Sequence, residues 1–211
     1  MNLVYPIVRN TCRGAFLTLW RMRIIGEENV PRSGPLIVAA NHVSNLDPPV
    51  LGAALPRPLY YMAKAELFRM PVLGPLIVQL RAFPVDRAKG DVAAIRRAVE
   101  VLKMGAAVGI FPEGGRNREG RNRVHSGVAL LASLTGAQVL PVYIGGTKRR
   151  FDRISVVFGE PMAFPAGGRR SEAILYDAAA AEASKKARRE DLAKWADEVM
   201  ARILALRGQI E

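Results

Sequence analysis

The chain has 211 residues, half of them hydrophobic and about a quarter charged, which suits one globular domain with a sizeable core and excludes a disordered chain. One cysteine, Cys12, and two histidines exclude a disulfide framework and a Cys-rich zinc site, and point to a reducing, cytoplasmic compartment. The formal net charge of +12 predicts a polyanionic partner: nucleic acid, anionic lipid headgroups or a phosphorylated ligand.

No apolar run approaches the roughly 20 residues that a bilayer-spanning helix needs. The best, residues 15–20 and 72–80, are far shorter. Arg9 and Arg13 interrupt the N-terminal stretch, which argues against a signal peptide, so any membrane attachment is expected to be peripheral. Leu3, Val4, Ile7, Val8, Ala15, Phe16, Leu19 and Trp20 recur at helical spacing, with Pro6 in the first turn and the two arginines on another side. Residues 1–21 therefore read as an amphipathic helix with a basic face. It either lies in the headgroup region of a bilayer or packs on its own domain.

From residue 22 onward short apolar runs alternate with helical patterns. Strands are expected at 22–25, 36–40, 59–62, 82–85, 107–111, 138–144 and 154–158. Helices are expected at 46–55, 72–79, 92–104 and 127–135, the third capped by Asp91. This alternation predicts a single layered α/β domain whose mostly parallel or mixed central sheet is flanked by helices. Gly167 and Gly168 break the chain, and residues 166–211 form a C-terminal helical segment with Leu192, Trp195, Val199, Ile203 and Leu206 on one face. The Lys185-Lys186 and Arg188-Arg189 run before that face reads as solvated or, more sharply, as a headgroup contact.

Two segments carry chemistry. Asn41-His42-Val43-Ser44-Asn45-Leu46-Asp47 follows an apolar strand and precedes two prolines, so it is a strand-to-helix turn at the kind of strand end where ligand crevices form. Histidine is suited to taking a proton near neutral pH, and a nearby aspartate can fix its tautomer and stabilise the imidazolium. The competing reading is a structural turn in which Asp47 caps the next helix. Phe111-Pro112-Glu113-Gly114-Gly115-Arg116 ends another strand, with glycines that permit close backbone approach and an arginine fork suited to phosphate. Its competing reading is a basic surface loop. Lys64 and Arg87 each follow a strand, where a common crevice could receive them.

These segments resemble the ordered blocks of the glycerolipid acyltransferase family, which includes the 1-acylglycerol-3-phosphate (lysophosphatidate) acyltransferases. Asn41-His42 with Asp47 resembles its His-x-x-x-x-Asp motif, Phe83-Pro84-Val85-Asp86-Arg87 its second block, Phe111-Pro112-Glu113-Gly114 with Arg116 its third, and Val139-Leu140-Pro141-Val142 its fourth. The similarity runs from about Gly26 to Pro161, and residues 22–165 are identified as the catalytic domain. The resemblance implies that His42, supported by Asp47, deprotonates the free hydroxyl of lysophosphatidate. That oxygen attacks the thioester of acyl-CoA or acyl carrier protein, giving phosphatidate without a metal or cofactor. Lys64, Arg87 and Arg116 would hold the acceptor phosphate, and Glu113, Gly114 and Gly115 would shape its pocket. Asn41, Phe83, Pro112 and Pro141 are supporting motif positions. The implied place is the cytoplasmic face of the cell membrane, against the phospholipid surface.

Gly115 stands where the family usually has a small hydroxyl residue, and no lysine occupies the slot before Gly127 where relatives often have one. Another lysophospholipid, or an alcohol or amine acceptor, therefore stays open. A non-catalytic basic module for membranes or nucleic acid is the remaining alternative. No nucleic-acid partner is expected, because no aromatics interleave with the basic runs for base stacking.

Overall fold

The structure, a computed structural model, describes residues 3–85, 92–117, 124–149, 152–165 and 178–210. Its centre is a seven-stranded sheet in the order β1-β7-β6-β2-β5-β3-β4. The strands are β1 (Arg23–Ile25), β2 (Leu36–Ala40), β3 (Leu59–Lys64), β4 (Ala82–Val85), β5 (Ala107–Ile110), β6 (Gln138–Gly145) and β7 (Ser155–Phe158). All neighbours pair in parallel except β6 and β7, so β1 and β7 run against the other five. The expected mixed, mostly parallel sheet is what the chain forms, with each strand in the stretch where the apolar runs put it.

The reason lies in β2. Its five residues are all buried, a continuous apolar run of the sort that a sheet covered on both faces demands. Leu36, Val38 and Ala40 join one core and Ile37 and Ala39 the other, as alternation in a strand requires. The first core is closed by α1 (Val4–Leu19) and α2 (Asp47–Ala54), through Phe16, Val50, Leu51 and Ala54. The second is closed by α4 (Val92–Lys103), α5 (Gly127–Thr135) and α6 (Ala178–Ala205), through Val101, Leu131, Trp195, Val199 and Ile203. Each fully buried Leu or Ile in these cores contributes about 1.5–3 kcal/mol relative to exposure. A short α3 (Leu73–Gln79) connects β3 to β4 and leaves Val72, Leu76 and Val78 exposed.

Pro141 sits inside central strand β6, where a proline ordinarily breaks a ladder. Two residues before it, Val139 exchanges both backbone bonds with Met162 on the side away from β2. Pro141 faces that same side, so its missing N–H leaves the pairing with β2 intact. Phe83 is buried in the second core.

The N-terminal helix packs its arginine-bearing side on the domain. Arg9 donates to the Leu55 carbonyl at 2.7 and 3.2 Å, and Arg13 donates to the Ala53 and Ala54 carbonyls at 3.1 and 3.0 Å. Both arginines thus face inward and cap the carboxyl end of α2, whose last carbonyls have no intrahelical donors. The exposed side of α1 instead carries Leu3, Val4, Ile7, Leu17 and Leu19. The helix runs the height of the sheet. Tyr5 accepts the Leu59 N–H at the start of β3, and the Trp20 carbonyl accepts the Ile154 N–H beside the start of β7. Asp91, expected as a cap, lies outside the described residues.

Candidate active site

The five parallel strands all end on one edge of the sheet, and the segments that carry chemistry leave from that edge. At the end of β2 the Asn41 side chain acts as a substitute peptide group. Its Nδ2 donates to the Ile144 carbonyl at 2.9 Å and its Oδ1 accepts the Ile144 N–H at 2.7 Å. That amide extends the β2–β6 ladder by one rung, so His42 leaves the sheet at a fixed point.

The His42 backbone is then held from the other neighbour, β5. Its N–H donates to Glu113 Oε2 at 2.6 Å, and its carbonyl accepts the Asn117 N–H at 2.6 Å. Asn117 Nδ2 in turn donates to Glu113 Oε1 at 2.6 Å. Glu113 is buried and both of its oxygens are engaged, so it braces the histidine segment. The reason is strand order: β5 lies beside β2, so the first acidic residue past Phe111 meets the chain leaving β2.

The turn brings Asp47 back onto His42, with Asp47 Oδ2 2.9 Å from His42 Nδ1. The same oxygen accepts the backbone N–H groups of Val43 and Ser44, each at 2.7 Å. Thr147 donates its hydroxyl to the second oxygen, Oδ1, at 2.6 Å. Asp47 opens α2, but its carboxylate serves the preceding turn and the imidazole, so the competing reading of a cap for α2 does not describe it. The carboxylate is fully buried and takes four donors. An Nδ1 that faces a carboxylate carries the proton, which leaves Nε2 with its lone pair. Among the described residues no group bonds Nε2. The imidazole stacks on Phe111, centroids 4.3 Å apart and planes inclined 25°, which fixes its rotation. The result is an oriented base with one open nitrogen.

Tyr61 steadies the start of α2. Its hydroxyl donates to the Pro48 carbonyl at 3.0 Å and packs on Gly52, where any side chain would collide with it. Burial pushes the phenol well above its usual pKa, so it remains a neutral donor.

A cleft of about 400 Å³ opens beside the pair, walled by Val43, Ser44, Asn45, Arg116 and Lys148. Arg116 comes from the β5 loop and Lys148 from the β6 tail, one on either side of the β2 turn. Both side chains are exposed, as suits groups that meet a ligand. Lys64 stands at the end of β3, two strands from β2 on the same edge, also exposed and outside the cleft wall. The third expected cation, Arg87, lies outside the described residues. Gly114 has φ +65°, and a Cβ there would stand 2.6 Å from the His125 ring, so both backbone and neighbour require glycine. Gly115 follows, half-buried, on the same turn. Pro112 is buried and its carbonyl accepts the His125 N–H at 2.8 Å, which ties the loop ahead of α5 to the site. No group of three or more His, Cys, Asp or Glu that could hold a metal occurs among the described residues.

Sequence reasoning missed Thr147, Lys148 and Asn117. The signal for the first two was present: Gly145-Gly146-Thr147-Lys148 leaves the end of an expected strand, as Asn41 does. What was absent was the strand order that makes those two strands neighbours.

Comparison with known proteins agrees with this geometry. The family model described as Acyltransferase matches residues 21–145. A 1-acyl-sn-glycerol-3-phosphate acyltransferase of Borreliella burgdorferi is 32% identical over 64% of this chain and 57% of its own length. A lyso-ornithine lipid O-acyltransferase of Pseudomonas aeruginosa is 36% identical over 59% of this chain and 47% of its own. This chain therefore spans about half the length of these two relatives. The crystal structure of the 1-acyl-sn-glycerophosphate acyltransferase PlsC from Thermotoga maritima superposes with a TM-score of 0.71 at 27% identity, covering 97% of this chain and 79% of that one.

Proposed function

This chain belongs to the Acyltransferase family, and we propose that it transfers a fatty acyl group from a thioester to the free hydroxyl of lysophosphatidate, forming phosphatidate. The observation that carries this reading is the buried His42–Asp47 pair, whose turn residues Val43, Ser44 and Asn45 wall a cleft shared with Arg116 and Lys148. In the reaction, Nε2 takes the proton of the acceptor hydroxyl as its oxygen attacks the thioester carbonyl. Asp47, held by Val43, Ser44 and Thr147, stabilises the imidazolium that forms. Collapse of the tetrahedral intermediate expels the thiolate of CoA or of acyl carrier protein, and the imidazolium returns its proton to that sulfur. No acyl-enzyme is needed and the pair ends as it began. Arg116, with Lys148 opposite and Lys64 along the same edge, supplies the positive charge that a phosphate monoester calls for.

The acceptor and product of this reaction reside in a bilayer, whereas the thioester donors are cytosolic. A peripheral position on the cytoplasmic face of the membrane serves both. Among the described residues no helix is long and apolar enough to cross a membrane, and the exposed apolar residues of α1 and of the α3 region are available for shallow insertion.

The test is an acceptor panel with one long-chain acyl-CoA and purified protein. Thiol release should depend on lysophosphatidate and phosphatidate should accumulate. Thiol release indifferent to any acceptor, or preference for an amine-bearing lysolipid such as lyso-ornithine lipid, would replace this acceptor.

A further inference from the structure

We propose that a second cleft, of about 310 Å³ and walled by Leu19, Trp20, Arg21 and Arg153, is the donor site, and that it takes the nucleotide of acyl-CoA, with phosphates on the two arginines and adenine against the indole. The inference rests on the acyl-transfer reading above and adds the class of donor and the place that holds it.

The reaction joins two anionic substrates, a phosphate monoester and a thioester carried by a phosphorylated handle. The cleft shared by Arg116 and Lys148 accounts for the first. The second needs cations of its own, outside that cleft yet within reach of the imidazole. Topology supplies them. Because β1 and β7 run against the other strands, they start on the edge where β2 and β6 end, with Gly145 of β6 opposite Ser155 and Ser155 opposite Arg23. Arg21 precedes β1 and Arg153 precedes β7, and both are exposed.

Backbone contacts tie this cleft to the His42–Asp47 pair. Ile154 donates its N–H to the Trp20 carbonyl at 3.2 Å and accepts the Arg23 N–H at 2.9 Å, so residues 20–23 wrap the start of β7. Gly146, at φ +81°, lies so close to the Arg153 carbonyl that any Cβ would collide with it. The next residue, Thr147, donates to Asp47, which holds His42. Arg21 stands at φ +47° just past the end of α1, a place where a left-handed residue is ordinarily glycine. An arginine there gives up backbone ease and sets a guanidinium on the cleft wall.

Size, chemistry and reach select a nucleotide. A volume of about 310 Å³ falls within the range of small-molecule sites. Arginine forks match phosphate oxygens. The Trp20 indole, held edge-on by Phe16 with centroids 5.5 Å apart, offers a flat neighbour to a purine. Asp152, exposed next to Arg153, is one carboxylate against two guanidiniums, so the balance of charge stays positive. β1 and β2 are three strand spacings apart, about 14 Å. The pantetheine arm, equivalent to about four residues of extended chain, spans about 14 Å as well. A nucleotide in this cleft thus lets the thioester carbonyl arrive at His42 with the arm laid across the start of β7 and the end of β6.

The experiment is calorimetric titration of the full chain with CoA, and with pantetheine, which lacks every phosphate. The probes are Arg21→Asn with Arg153→Gln, and Arg153→Gln alone in case the pair does not fold. Asparagine is chosen because it tolerates the φ of Arg21. CoA affinity should fall about tenfold for each lost arginine, with no change for pantetheine. Arg32→Gln, exposed ahead of β2 on the opposite edge, should bind CoA as the unsubstituted chain does. In turnover with a long-chain acyl-CoA, donor KM should rise in step with the lost affinity while the KM for lysophosphatidate holds. No CoA binding by the unsubstituted chain, unaltered affinity in Arg153→Gln, or an equal loss in Arg32→Gln would overturn the donor site. So would transfer from acyl carrier protein that responds to these substitutions when CoA binding does not. CoA binding that weakens as expected, in a chain that acylates no acceptor, would support the nucleotide cleft and instead overturn the enzymatic reading.

Discussion

The two ends of the parallel strands use the same device, a polar side chain tied to backbone, for opposite purposes. At the strand starts Arg57 donates to the carbonyls of Pro31, Gly34 and Gly105 at 2.8–2.9 Å, binding three loops in one knot. Burial lowers its pKa, and both terminal nitrogens of the guanidinium are engaged with backbone. At the strand ends Asn41, Glu113, Thr147 and Asp47 are tied as tightly, yet among the described residues no group claims the second ring nitrogen of His42. A knot of the first kind, with no titratable atom left to react, stabilises the fold. A knot that holds an imidazole and leaves one of its nitrogens unbonded among the described residues fixes a group able to react, and that separates a fold determinant from the candidate active site on the same sheet.

The contrast can be broken by substitution. The largest effect is expected for His42→Ala, where acyl transfer should fall by about 10²–10⁴-fold, the range for loss of a positioned general base. The melting temperature should stay close to that of the parent. Near-parental turnover would remove His42 from the chemistry.

A smaller effect is expected for Thr147→Val. It leaves Asp47 Oδ1 without its hydroxyl donor and should lower kcat about tenfold. Acceptor KM should hold, and Thr147→Ser should restore the rate because it restores the donor. Equal losses in the valine and serine variants would mean that Thr147 matters only for packing.

Arg57→Ala should be the smallest in rate and the largest in stability. Turnover per folded molecule should be unchanged, while unfolding free energy drops by about 2–4 kcal/mol as three carbonyls lose a charged donor. A rate loss without a stability loss, measured by denaturant unfolding, would erase the distinction between the two edges.

Much of this was legible before any coordinates. The apolar runs located every strand to within two residues, because a strand buried on both faces must be continuously apolar and a helix covering it must repeat every three to four residues. The His42–Asp47 pairing was legible too, because five residues of turn suffice to bring the groups together. Arg9 and Arg13 were legible as a face but not as an orientation. Helical spacing groups them and cannot say that the unpaired carbonyls of α2 lie beneath them.

What the sequence by itself determined is therefore local: the strands, the helices, the turn that folds an aspartate onto a histidine, and the family those blocks announce. What only tertiary structure decided is adjacency. The order of the strands sets Glu113 under His42, Thr147 on Asp47, and Lys148 across a cleft from Arg116, although 100 residues separate the second pair. The physical reason is that backbone sterics and hydrophobic periodicity act over a few residues. Which strands become neighbours is settled by the packing of two whole cores at once.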